Sequence, residues 1–167
     1  MDMKEILIEK VTLNIGAGEG GQKLENAKTL LERISGKKAI RTLSKTRNPI
    51  FHIKKGDPIG VKVTIRGEPA LDILEKSLKA SENKISKKSI DKLGNFSFGV
   101  KEYIDYPGIK YDPSIGIIGF DVCVTLKRRG ARVVKRRLKK TKIGKKHKIT
   151  KDESITFIKG KFGIEIV

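Results

Sequence analysis

From Ile59 to Arg66 the chain alternates without a break. Ile59, Val61, Val63 and Ile65 fall on one side, and Gly60, Lys62, Thr64 and Arg66 on the other. A period of two with one apolar side marks a strand that buries one face and wets the other. Three more stretches repeat the pattern. Val11, Leu13 and Ile15 alternate with Lys10, Thr12 and Asn14. Phe96, Phe98 and Val100 alternate with Ser97, Gly99 and Lys101. Phe120, Val122, Val124 and Leu126 alternate with Asp121, Cys123, Thr125 and Lys127. A parallel sheet covered on both sides would show unbroken apolar runs instead. The pattern predicts an α+β fold, a single antiparallel-dominated sheet with helices packed on one face and the other face open.

The covering helices have their own signals. Leu24, Ala27, Leu30, Leu31 and Ile34 make one stripe over residues 22–35, and Gly36 follows as a stop. A second helix follows Pro69, with Leu71, Leu74 and Leu78 as its apolar side. A last helix begins at Thr150, where Thr150 and Glu153 fit a capping box, and ends near Gly160 or Gly163. Residues 81–94 read as a loop with at most one helical turn. No repeat or linker divides the chain, so 1–167 is expected to form one RNA-binding domain with a basic segment at 127–148.

Charge decides what the open face meets. Thirty-eight Lys and Arg against 19 Asp and Glu give a net charge of +19. A polyanion is the expected partner of such a surface. The open face would carry Lys10, Thr12, Asn14, Lys62, Thr64, Arg66, Ser97, Lys101, Thr125 and Lys127, with almost no opposing charge. It has no aromatic residue to stack on bases. That favours sugar, phosphate and the shallow groove of folded RNA.

Two further basic regions stand out. The loop before Ile59 holds Lys45, Thr46, Arg47, Asn48, Lys54 and Lys55 against the single acid Asp57. Its apolar tip, Pro49-Ile50-Phe51, either packs on the body or touches a partner. From Lys127 to Lys148 there are thirteen Lys and Arg, among them Arg128, Arg129, Arg132, Arg136 and Arg137, and no acid. Such a segment is expected to be mobile when free and ordered on RNA.

Other classes fare worse. There is no apolar run of membrane-spanning length. The opening residues carry no apolar signal segment, and the lone Cys123 excludes an intramolecular disulfide, so a reducing cytoplasm is expected. His52 and His147 lack metal-ligand spacing, and no catalytic set is visible, so neither metal, cofactor nor enzymatic activity is expected. The alternative is a nucleotide-cofactor enzyme built on Gly16-x-Gly18-x-x-Gly21 between a strand and a helix. Against it, the strand before the glycines alternates, no acid ends the next strand, and Glu19 would sit inside the phosphate loop.

Four long stretches carry a family resemblance: TLNIGAGEG, KTRNPIFHIKKGDPIGVKVTIRG, GNFSFGVKEYIDYP and YDPSIGIIGFDVCVTL. In them, and over nearly its whole length, the chain resembles the universal large-subunit ribosomal protein L-five family. The closing IGKKHKITKDES is similar to the archaeal and eukaryotic branch. The resemblance implies a structural protein of the central protuberance that binds 5S rRNA and large-subunit rRNA beside neighbouring ribosomal proteins. It also implies that the loop from Ser44 to Lys54 reaches peptidyl-site tRNA. By motif, Asn14, Lys37 and Thr64 are implied as 5S rRNA contacts.

Overall fold

The computed structural model describes residues 2–18 and 20–166. Glu19, which the sequence places in the glycine loop, lies outside the described residues. The long elements are β1 (Ile6–Gly16), α1 (Gln22–Ser35), β2 (Ile40–Leu43), β3 (Pro58–Ile65) and α2 (Glu68–Ala80). After β4 (Lys84–Ile85) come β5 (Phe96–Val100) and β6 (Phe120–Arg128). The chain closes with α3 (Arg132–Lys135), α4 (Lys151–Phe162) and β7 (Glu165–Ile166).

The main sheet has five strands in the order β2-β3-β1-β6-β5, and every pairing is antiparallel. Four of these strands are the alternating stretches; the fifth, β2, is the short edge before the basic loop. The α+β expectation therefore holds. Residues 81–94 contain what a local pattern hides, the strand β4, which pairs in parallel with β7 at the far end of the chain. One 3₁₀ turn at Lys87–Ser89 completes that connection.

The apolar sides of the strands meet the helices in one core. Val11, Leu13, Val61, Val63, Ile65, Val122 and Val124 are buried, as are Leu24, Leu30 and Leu31 of α1 and Ile158 of α4. Each such side chain contributes about 1.5–3 kcal/mol over leaving it in water. On α2 the buried stripe is Ala70, Ile73, Leu74, Ser77 and Leu78. Leu71 is half-buried, one step off the stripe expected for it. Ser77 is tolerated inside because its hydroxyl donates to the Ile73 carbonyl at 2.8 Å.

The ends of the elements follow sequence chemistry. Gly36 closes α1 at φ 62, a left-handed conformation that a side chain resists. At α4 the capping box is complete: the Glu153 N–H donates to Thr150 Oγ1 at 3.4 Å and the Thr150 N–H to Glu153 Oε2 at 2.9 Å. Outside the core, Asp112 ties the 109–119 connection to α1. Its carboxylate accepts from the Ser114 hydroxyl at 2.6 Å and from Arg33 at 2.7 Å, and these bonds hold its pKa down at about 2.

Candidate nucleic-acid interface

Antiparallel register puts paired residues on the same side of the sheet, so the open face can be laid out in rows. One row runs Ile40, Lys62, Asn14, Asp121, Gly99 from β2 to β5. The next runs Thr64, Thr12, Cys123, Ser97. Beyond it Lys10 faces Thr125. Five of the seven residues expected to contact rRNA, namely Lys10, Thr12, Asn14, Lys62 and Thr64, thus fall in three neighbouring rows. Arg66 follows the end of β3 and is exposed. Lys37 stands apart, exposed in the turn between α1 and β2, three residues before Ile40.

The rows correct the charge of this face. Asp121 is exposed and lies between Asn14 and Gly99, so an acid stands in the middle of a surface expected to be nearly free of them. Its parity along β6 is visible in sequence; its position beside Asn14 depends on register. The face also gains Thr42, which pairs with Gly60, and Ile40, which is 63% exposed. Strand β2 is too short for alternation to show this. Between rows the backbones run close: a Cβ on Gly60 would come within 2.8 Å of the Ile15 carbonyl oxygen. Cys123 is exposed, and burial together with Asp121 pushes its thiol above the ordinary value.

The basic loop is built as an extension of the β2–β3 hairpin. At its base the Ser44 N–H donates to the Asp57 carbonyl at 2.8 Å and the Gly56 N–H to the Ser44 carbonyl at 3.0 Å. At its tip Asn48 and Ile53 exchange both backbone bonds, at 2.8 and 3.0 Å. His52 turns the tip at φ 54. Lys45, Thr46, Arg47, Lys54 and Lys55 are exposed along it, and Asn48 is half-buried. Ile50 is 83% and Phe51 69% exposed, so the apolar tip does not pack on the body.

The basic segment is drawn onto the sheet by acids from elsewhere. Arg128 continues the inward parity of β6 and is 6% exposed; its Nη2 donates to Glu153 at 2.6 Å. It therefore serves the packed body, although sequence counts it with the surface cations. Arg129 pairs with Glu5 at 2.7 Å, and Lys135 pairs with Glu9, where a register shift between Ile8 and Lys10 interrupts β1. Burial alone would raise Glu9, but the bond and charge of Lys135 outweigh it and leave the carboxyl below its ordinary value. Arg132, Arg136 and Arg137 are exposed. From Arg136 to Gly144 the described residues form no helix or strand.

The start of the glycine loop is tied back to β3. The N–H groups of Ala17 and Gly18 both donate to the Ile59 carbonyl, at 3.0 and 3.1 Å. Strand β1 before it is paired antiparallel on both sides, with no neighbouring parallel strand as a dinucleotide site requires. The cofactor alternative is thereby set aside. Among the described residues no cluster of three or more His, Cys, Asp or Glu could hold a metal ion, and no helix is long and apolar enough to cross a membrane.

Comparison with known proteins identifies the family. Residues 2–54 match the family model of ribosomal protein L5, and residues 58–157 match the separate model of that family's C-terminus. The large ribosomal subunit protein uL5 of Methanococcoides burtonii is 48% identical over 164 residues, covering 98% of this chain and 97% of that one. The protein of the same description from Methanococcus maripaludis strain C6 is 49% identical over 168 residues, with 99% and 93% covered. That of Nanoarchaeum equitans is 49% identical over 166 residues, with 99% and 98% covered. These are structural ribosomal proteins and not enzymes. This chain belongs to the ribosomal protein L5 family, in its archaeal type.

Proposed function

We propose that the chain is a structural component of the large subunit of the cytoplasmic ribosome, and that it holds 5S rRNA on the open face of its sheet. The single observation that carries this reading is the contiguity of the rows. Lys10, Thr12, Asn14, Lys62 and Thr64 meet across two strand pairings, on the side of the sheet opposite buried Val11, Leu13, Val61 and Val63. Neutral donors and acceptors outnumber cations there, and no ring is offered. That composition suits sugar hydroxyls and the shallow groove of folded RNA. Lys37 and Arg66 flank this face. Arg129, Arg132, Arg136 and Arg137 meet large-subunit rRNA beyond it, and other ribosomal proteins border the same body. The hairpin of residues 44–54, stiffened at base and tip, reaches peptidyl-site tRNA. The whole chain works as one domain.

The test separates the face from the hairpin. Replacing Arg47, Lys54 and Lys55 together by Ser leaves 5S rRNA affinity nearly unchanged, while subunits carrying the variant hold peptidyl-site tRNA less stably. Filter binding with 5S rRNA and tRNA retention on reconstituted subunits measure the two arms. A large loss of 5S rRNA affinity in this variant would merge hairpin and face into one site and overturn the division.

A further inference from the structure

Beside the interrupted end of β1 lies a groove unlike the open face. Its volume is about 570 Å³. Leu93, Leu126, Val134, Ile143 and Ile149 give it an aliphatic lining, and Leu93 and Val134 remain 53% and 36% exposed. Lys127, Lys142, Lys145 and Lys148 stand around that lining. The one carboxylate among the lining residues, Glu9, is already held by Lys135. Arg128 also borders the groove. Among the described residues its buried Nε–H has no acceptor, while its two Nη groups do.

Two demands therefore meet in one place. The cations and the unsatisfied Arg128 donor call for anionic oxygen acceptors, and the aliphatic lining calls for apolar cover. RNA meets only the first. The one ring among the lining residues, the half-buried imidazole of His147, is tied to the Arg129 carbonyl at 2.9 Å, and a sugar–phosphate chain leaves the aliphatic lining wet. A polypeptide with both acidic and aliphatic side chains meets both. We propose that this groove docks an acidic, aliphatic peptide segment supplied by a neighbouring protein. This binding uses the aliphatic side of the basic segment, and Arg129, Arg132, Arg136 and Arg137, proposed above to meet rRNA, are not among the groove's lining residues.

The experiment uses the full chain and a fluorescent twelve-residue peptide that alternates glutamate and leucine. A glutamate–serine peptide of equal charge is the control. The Glu/Leu peptide binds saturably and the control at least about tenfold more weakly, a difference of about 1.4 kcal/mol. Leu93→Ser with Val134→Ser, and separately Lys142→Glu with Lys145→Glu, each weaken the peptide by a similar factor, while thermal melts confirm folding. Methyl shifts of the unaltered protein place the peptide on Leu126, Ile143 and Ile149 without any substitution. Equal binding of both peptides, or methyl shifts elsewhere, would overturn the proposal. So would a loss of RNA affinity in the Leu93/Val134 variant as large as its loss of peptide affinity, since the groove would then be an RNA site.

Discussion

The open sheet face and the segment from Lys127 to Lys148 are both polar, basic surfaces, but they are held in opposite ways. The rows of Asn14 and Thr12 are fixed by strand pairing on both sides of β1, and the Lys10 row by β6. The segment has few backbone pairings. It is held by Arg128 on Glu153, Arg129 on Glu5 and Lys135 on Glu9. The face is sparse in charge and rigid in position, which suits directional hydrogen bonds. The segment is dense in charge and loosely tied, which suits counterion release. Fold stability and RNA affinity should therefore respond to different substitutions in the two regions.

The largest effect is expected where the segment is anchored. Glu153→Ala removes the partner of a guanidinium that is 6% exposed and half of the α4 capping box. The carboxylate is itself 44% exposed, which discounts the loss. A drop of about 2–3 kcal/mol in unfolding free energy is expected by urea titration. 5S rRNA affinity measured well below the melting range stays unchanged. A stability loss under about 1 kcal/mol would mean that Arg128 does not depend on Glu153, and that the anchor lies elsewhere.

Next in size are contacts on the face. Asn14→Ala and Thr64→Ala each weaken 5S rRNA binding by about 1–2 kcal/mol through an unpaired hydrogen-bonding group, with the salt slope unchanged. Lys62→Ala and Arg66→Ala instead lower that slope by roughly one charge. Asn14 and Lys62 are register partners, so their double variant departs from additivity. Thr64 and Lys10 are not paired with each other, and their losses add. If Asn14→Ala and Thr64→Ala bind like the parent throughout a salt series, the face is solvent and the segment carries the RNA.

Which parts of this contrast are legible in sequence follows from the range of the interactions involved. Alternation is local, so strand faces, the α1 stripe and the Thr150–Glu153 box can be read directly. Register is not local. The neighbours of Asp121, the pairing of β4 with β7 and the face position of Ile40 all depend on residues far along the chain. Arg128 is the instructive miss. Its inward position continues Val122, Val124 and Leu126 in steps of two, but a block of thirteen cations reads as surface, and apolar alternation stops short of it. The acids that hold the segment, Glu5, Glu9 and Glu153, lie outside it, so its local composition does not reveal them.

A smaller effect comes from Cys123, which lies between Thr12 and Ser97 in the second row. Its thiol is held above its ordinary value, so labelling is slow, and the rates are compared at one fixed pH near neutrality, where maleimide spares the lysines. Bound 5S rRNA should slow maleimide labelling several-fold, whereas peptidyl-site tRNA alone leaves it unchanged. Labelling at equal rates with and without 5S rRNA would place the RNA off the second row.

The smallest effect concerns the ties of the segment, and its sign follows from the carboxyls. Glu9 and Glu153 both titrate below their ordinary values. In Glu9 burial works upward and Lys135 overcomes it; in Glu153 the Thr150 N–H and then Arg128 favour the charged form. A depressed carboxyl contributes stability that is present above its unfolded value, about 4.3 for glutamate, and lost as pH falls through the lower folded value. The ties should therefore hold at about pH 6 and release progressively below about pH 4. The pairing of the sheet strands is made between backbone N–H and carbonyl groups, which do not titrate. Amide ¹⁵N relaxation at about pH 6 and about pH 3 reads both regions in one sample. Greater fast motion from Arg129 to Lys146 at the lower pH, with β1, β3 and β6 unchanged, is the expected result. Glu9→Gln should produce part of that loosening around Lys135 already at the higher pH. Equal loosening of sheet and segment on acidification would mean that one cooperative unit contains both, and that the division drawn between them is wrong.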